Sequence, residues 1–232
     1  MIPTLVENWI PRPPMTAAPS LVGTYVRVDP FDKDVDVPLL WDALGGNNGT
    51  INERLKWYGI PNLNNENDLL TLLTKIEEPV GCCVNVFRLI DSGDVAGMSC
   101  YIGTRPEHGS TEVGYVAHGH AMARSPASTE AQYLLAKHAF ETMGYRRYEW
   151  KCDSNNVPSN TAAQRLGFTF EGCFRQHVVT AKGTNRDTNW YSMLDKEWME
   201  RKHAMEQWLD PTNFDENGVQ QRRLQDFQSW MK

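Results

Sequence analysis

Residues 156–168 read Asn156-Val157-Pro158-Ser159-Asn160-Thr161-Ala162-Ala163-Gln164-Arg165-Leu166-Gly167-Phe168. Asn156 carries the short side-chain oxygen of an N-cap, and Pro158 falls in the first turn, where a missing N–H costs little. A short helix from Val157 to Leu166 is therefore expected, with Gly167 as its left-handed stop. Strand-like sequence lies on both sides. Upstream is Arg147 to Asp153; downstream is Phe168 to Val179, joined by a turn at Lys182-Gly183-Thr184-Asn185 to a last strand, Asp187 to Leu194. Before these, Thr129 to Met143 places Ala131, Leu134, Leu135, Ala139 and Met143 on one helical face, broadened by Phe140 and Tyr133 and closed by Gly144. Cys82 to Ile90, Val95 to Gly103 and Thr111 to Ala117 read as strands, the first two linked at Ser92-Gly93. Leu21 to Val28 reads as a first strand, followed by short helical stretches at Val35–Leu44, Ile51–Tyr58 and Asp68–Ile76. The order is strands, helix, strand, helix, strand pair, which predicts a mixed α/β layer with helices packed on a sheet.

The two ends differ from this middle. Residues 1–20 hold Pro3, Pro11, Pro13, Pro14 and Pro19 and read as an extended arm that Trp9 and Ile10 clip to a neighbouring surface. Residues 199–232 read as a helical extension split near Pro211. Trp198, Met199, Met205, Trp208 and Leu209 mark one amphipathic helix, and Leu224, Phe227, Trp230 and Met231 mark a second. Their apolar faces need cover, from their own domain, from a second copy in a homodimer, or as a wall of a substrate cleft.

Composition narrows the function. The 232 residues carry 23 Lys plus Arg against 29 Asp plus Glu, a net charge of -6 that argues against a phosphate-backbone binder, so no nucleic-acid partner is expected. The five cysteines form no Cys-x-x-Cys pair and no Cys/His cluster at zinc spacing, so they read as reduced thiols with no metal. On a strand, Cys82 and Cys83 point to opposite faces, which puts one of them in the core. No basic region precedes an apolar run, and no apolar stretch approaches the ~18 residues of a membrane span, so a soluble, cytoplasmic protein is expected.

Three ordered segments carry a resemblance: Glu112-Val113-Gly114-Tyr115-Val116, then Ser128-Thr129-Glu130-Ala131 opening a helix, then Asn156-x-x-Ser159 running into Arg165-Leu166-Gly167-Phe168. Phe170-Glu171-Gly172-x-x-Arg175 and Gly183-x-x-Arg186-Asp187-Thr188 follow. Together they resemble the GNAT acetyltransferases, most closely the RimJ/RimL-like branch, over residues 21–198. The resemblance implies a central, mostly antiparallel sheet with splayed strands, flanked by helices. It also implies an acetyl-CoA-dependent N-acetyltransferase acting by direct transfer, whose acceptor is a protein N-terminus or a small-molecule amine. A non-catalytic acyl-CoA-binding or regulatory module on the same fold is the alternative. A serine hydrolase is set aside, because no Gly-x-Ser-x-Gly occurs.

The resemblance assigns residues. Val116 and Ala117 hold the pantetheine arm through open backbone groups, in the manner of an added strand, with Gly114 suited to a bulge. Arg124, Ser125, Ser128 and Thr129 face the diphosphate at a helix start. The family's Gln/Arg-x-x-Gly-x-Gly/Ala loop appears here as Ala123-Arg124-Ser125-Pro126-Ala127-Ser128, without its first residue and middle glycine. Read as structure alone, Ser128 is a plain N-cap. Asn156 caps its helix and also reaches the pantetheine amides.

The chemistry needs a base for an alkyl ammonium near pKa 10 and a partner for the departing thiolate. Glu112 is the candidate base, placed on one strand face with Gly114 and Val116. Asp153 and Glu130 are alternatives, and Glu130 is also placed to complement a helix dipole. A tyrosine often found four residues before the Gly-Phe pair is Ala163 here, so Ser159 takes the thiolate's hydrogen bond instead. His118 and His120 flank Gly119 near the cleft, where either is placed to hold an amine or act as a base; a histidine near a loop is more often just solvated, and that is the reading taken. His138, Trp150, Trp190 and Tyr191 read as core.

Overall fold

A computed structural model of the chain describes residues 6, 9–216 and 218–228. Eight strands form one sheet: β1 (Leu21–Val22), β2 (Val26–Pro30), β3 (Cys83–Leu89), β4 (Val95–Arg105), β5 (Ser110–His118), β6 (Arg147–Asp153), β7 (Thr169–Val179) and β8 (Asn185–Leu194). Their order is β1-β2-β3-β4-β5-β6-β8-β7, antiparallel throughout except between β5 and β6, which run parallel. That one parallel pair requires a crossover, and α4 (Pro126–Lys137) supplies it. The result is the mixed α/β layer read from the order of elements, with the mostly antiparallel sheet that the resemblance implies.

Helices cover both faces. On one, α1 (Lys33–Ala43), α2 (Ile51–Arg54) and α3 (Glu66–Glu77) bury Leu40, Trp41, Ile51, Leu69 and Leu73 against Val84, Val86, Met98 and Cys100 of the sheet. On the other, α4 and α6 (Asp195–Leu209) bury Ala131, Leu135, Trp198, Met205 and Trp208 with Phe87, Tyr101, Tyr148 and Met193. The remaining helix, α5 (Val157–Arg165), links β6 to β7 and is capped by Asn156, as its sequence requires. Cys83, the first residue of β3, is buried, whereas Cys82 lies just ahead of the strand and is half-buried, so strand alternation does not decide between them.

Several expectations need correction. The stretch from Ile51 to Tyr58 is not one helix: four residues of α2 pass into a 3-10 turn over Lys56–Tyr58, ended by Gly59 at a φ of 69°. The helix expected from Thr129 starts at Pro126, so Ser125 and not Ser128 is its N-cap residue, and its last turn, His138–Thr142, widens to a π-turn. The second tail helix is only a 3-10 turn, Leu224–Phe227; Trp230 and Met231 lie outside the described residues. Trp198, Met205, Trp208, Leu209 and Leu224 pack into the domain's own core, whereas Met199 is exposed. The arm is held by Trp9, whose indole donates to the Glu107 carbonyl at 2.9 Å, while Ile10 is exposed. His138 is buried as expected, but neither ring nitrogen has a hydrogen-bond partner among the described residues, and burial lowers its pKa.

Candidate active site

β5 and β6 pair at Ser110/Arg147, Thr111/Tyr148 and Glu112/Glu149, and there the pairing ends. β5 continues to His118 against β4 alone, and β6 continues to Asp153 against β8 alone. The backbone edges of the two strands that face each other past Glu112 are thus left without a strand partner. A cavity of about 480 Å³ occupies this gap. Glu112, Val116, Ala117, Asn156 and Ser159 all line it, together with His118 and Asp153.

A bulge shapes the β5 wall. Between Met98/Ala117 and Cys100/Gly114 the bulged strand gains one residue, and Tyr115 takes a φ of 49°. A Cβ at Gly114 would lie 2.4 Å from Ile102 Cδ1, so the Ile102 side chain would have to shift to admit one. The extra residue breaks the alternation expected for this strand. Tyr115 and Ala117 pack with the cluster that includes Ile102, the register partner of Glu112, while Val116 packs with the opposite core. Val116 therefore does not share a face with Glu112.

Glu112 is buried, and Lys151 Nζ lies 2.6 Å from its Oε2. Lys151 also lies 2.8 Å from Glu149 Oε2 and 4.0 Å from the centre of the Trp190 ring. Burial raises the Glu112 pKa, and the Lys151 cation only partly offsets it. Of the alternative carboxylates, Glu130 is committed elsewhere: its oxygens accept from the backbone N–H groups of Thr24 (2.7 Å), Tyr25 (2.6 Å) and Val26 (2.9 Å). It is a loop anchor, not a helix-dipole partner. Asp153 accepts from the Asn155 N–H at 2.8 Å and stays on the cavity wall.

On the α5 side, the Asn156 carbonyl oxygen accepts from the Ser159 N–H at 3.3 Å, so its amide nitrogen remains for the cleft. Ser159 Oγ accepts from the Trp150 indole at 3.0 Å. That contact orients the serine and leaves its own proton to donate. His118 is not a solvated histidine: its Nε2 is buried without a hydrogen-bond partner among the described residues, and desolvation, with help from Arg54, pushes its pKa down to about 4. His120 is exposed.

Arg124, Ser125, Ser128 and Thr129 do not line the cavity; they form the turn and helix start that follow β5. Their hydroxyls have partners within the chain. Ser125 donates to the Met122 carbonyl (2.8 Å), Ser128 to the Ser125 carbonyl (2.7 Å), and Thr129 accepts from Arg165 (2.9 Å). What this turn offers an anion is first-turn N–H groups and the exposed Arg124 at a φ of 63°.

Sequence reading missed Lys151, Trp57, Tyr58, Tyr115 and Arg186, all on the cavity wall. Lys151 had a signal: Arg147, Glu149 and Lys151 alternate along one strand face, an unusual run of charge in a central strand. No cluster of three His, Cys, Asp or Glu side chains among the described residues is placed to hold a metal ion, and no helix among them is long and apolar enough to cross a membrane.

Comparison with known proteins fits this geometry. Residues 30–169 match the family model described as an acetyltransferase (GNAT) domain. A GCN5-related N-acetyltransferase from Brucella melitensis is 38% identical, over 96% of this chain and 99% of that one, with a TM-score of 0.89. A probable GNAT-family acetyltransferase from Chromobacterium violaceum is 33% identical over 86% of this chain and 98% of that one, with a TM-score of 0.77. At 19% identity, over 74% of this chain and 96% of that one, the fold alone is shared with the Salmonella typhimurium enzyme that modifies the N-terminal serine of ribosomal protein L7/L12 (TM-score 0.62). No curated protein matches the chain.

Proposed function

Because the chain belongs to the GNAT acetyltransferase family and is by that membership an acyltransferase, we propose that it moves an acetyl group from acetyl-CoA directly to an amine. The observation that carries this reading is the gap between β5 and β6, with one carboxylate and one serine hydroxyl on its walls. The pantetheine arm takes the place of the missing strand, along Val116 and Ala117 on one side and the Asn156 amide on the other. Arg124 and the first turn of α4, with Ser125, Ser128 and Thr129, take the diphosphate.

Glu112 removes the ammonium proton, directly or through one water. Its raised pKa brings it closer to that of the amine than an ordinary carboxylate would be. The neutral amine then attacks the thioester carbonyl carbon, the C–N bond forms, and the C–S bond breaks. The leaving thiolate accepts a hydrogen bond from Ser159, whose oxygen is already held by the Trp150 indole, and becomes free CoA by taking, through water, the second proton that the acylated nitrogen sheds as the amide forms. A hydroxyl is a weak acid, so holding both reactants in place supplies much of the rate, an effect worth about 7–11 kcal/mol in well-oriented systems. The acceptor is a protein N-terminus or a small amine, and the protein works in the cytoplasm. The likeness to the L7/L12-modifying enzyme supports the first acceptor at the level of fold only.

The test is release of free CoA from acetyl-CoA across a panel of small amines and N-terminal peptides. Turnover with any member supports the reading; tight coenzyme binding with no turnover on any of them rejects it.

A further inference from the structure

A second cavity of about 740 Å³ lies beside the first. The loop after Gly59, α3 and β4 form its walls; Ile60, Leu63, Leu72, Ile76 and Ile102 make its larger, apolar part, with Asp68 and Lys75 among the polar side chains on the rest. Ile102 and Tyr115 line both cavities, so the two meet across one wall. Tyr115 stands in that wall because the β5 bulge turns it to a positive φ, a conformation that non-glycine residues adopt at a cost. There its ring meets Tyr58 edge to face, 5.3 Å between centroids at 85°.

Tyr58 lines the first cavity, and its hydroxyl is buried without a hydrogen-bond partner among the described residues. Such a phenol carries an uncompensated desolvation cost unless a bound molecule meets it. The position of the second cavity identifies that molecule. The start of α4, where a diphosphate would bind, lies beyond His118 at one end of the open segment of β5. Ile102 pairs with Glu112 at the other end. A molecule extending from the second cavity past Ile102 and Tyr115 into the first would approach Glu112 from the side away from the diphosphate.

We infer that the second cavity seats the apolar body of the acceptor, an amine carrying a branched aliphatic or aromatic group close to its nucleophilic nitrogen, with the Tyr58 hydroxyl meeting a polar atom of that molecule. The inference rests on the transfer reading above and narrows its acceptor. A small hydrophilic amine would leave the apolar part of this cavity of about 740 Å³ unused.

Paired acceptors test it with the full-length protein and acetyl-CoA: leucinamide against glycinamide, and 2-phenylethylamine against ethylamine. The larger member of each pair is favoured in kcat/KM by about tenfold or more, mainly through KM. Leu72→Trp, from a half-buried position on α3, fills the cavity and removes that preference. KM for acetyl-CoA is unchanged, and kcat/KM for the small amines falls far less than for the large ones. Thr71→Trp, from an exposed position lining the same cavity, gives the same result and covers a folding failure of the first variant. Equal kcat/KM within both pairs, or a preference that survives both substitutions, overturns the inference while transfer itself stands. A Leu72→Trp effect on hexanoyl-CoA relative to acetyl-CoA, with the amine preference intact, also overturns it and assigns the cavity to the acyl chain. If no amine is acetylated, the transfer reading fails on its own account. Calorimetry with 2-phenylethylamine then still decides the occupant: heat that disappears in Leu72→Trp keeps the assignment, and no heat with the wild type ends it.

Discussion

Where β5 and β6 run together the molecule pairs its charges; where they part it leaves neutral donors open among charged side chains such as Arg54, Asp153 and Arg186. In the paired half, the buried Glu149 lies 2.6 Å from Arg147, 3.0 Å from Arg105 and 2.8 Å from Lys151, and Arg147 continues the chain to Glu171. In the parted half, the walls offer the Ser159 hydroxyl, the Asn156 amide, the neutral His118 and open peptide edges. Buried charges left unpaired are costly, whereas neutral donors can be left open for a ligand at modest expense. Glu112 stands at the junction. It is tied to the paired half through Lys151, yet it lines the open one.

The largest expected effect comes from removing the group at that junction. Glu112→Gln should lower kcat by about 10²-fold or more at neutral pH, the range for loss of a general base. The deficit should shrink above pH 8, where more of the amine is already neutral. An unchanged pH–rate profile would take Glu112 out of the mechanism and leave it as a plain member of the ion network.

Lys151→Met cuts the tie between the halves. With the cation gone, burial and the neighbouring Glu149 both disfavour the Glu112 carboxylate, and Arg186 is the remaining cation acting on it. The Glu112 pKa therefore rises further. Activity carried by its ionised form then appears only at higher pH, and the acid limb of kcat/KM moves up by about one unit. A variant that lost activity equally at every pH would show Lys151 to be a support of the strand and nothing more.

Much of this comparison was legible in the sequence. The strand over Arg147–Asp153 was read at its observed bounds, and the helix over Val157–Leu166 to within a residue, because Asn156, Pro158 and Gly167 punctuate them locally. Glu112, Val116, Ala117, Asn156 and Ser159 do line one cavity. What the sequence hid is either non-local or irregular. Tyr58 meets Tyr115 through the fold alone, and no periodicity links the two. The bulge at Tyr115 gives no signal beyond Gly114, so the faces of Val116 and Glu112 were wrongly joined. Glu130 looked like a helix-start carboxylate because the loop at Thr24–Val26 that it holds is distant in the chain.

A smaller effect is expected from Ser159→Ala: kcat for acetyl transfer falls by about fivefold to tenfold, the scale of one hydrogen bond near a developing charge. KM for acetyl-CoA should change little, since the hydroxyl acts on the thiolate and not on the bound thioester. Trp150 separates two ways in which the serine could matter. Its indole donates to Ser159 Oγ in the resting protein, so the alanine variant also strands a buried N–H. Trp150→Phe removes that donor while keeping the ring. If Ser159 works by donating to sulfur, Ser159→Ala remains slow in the Trp150→Phe background.

The smallest effect tests the other wall. Asn156 has two duties that one substitution separates. Its carbonyl oxygen caps α5 through the Ser159 N–H at 3.3 Å, while its amide nitrogen remains for the cleft. Asn156→Asp keeps the cap and removes the donor; Asn156→Ala removes both. The alanine variant should lose about 1 kcal/mol of stability to the missing cap, read by urea unfolding, and the aspartate variant should lose little. Both should raise KM for acetyl-CoA by several-fold, because each lacks the amide N–H. If KM rose in the alanine variant alone, Asn156 would matter to the coenzyme only by holding α5 in place, and the neutral donors of the open half would be fewer by one.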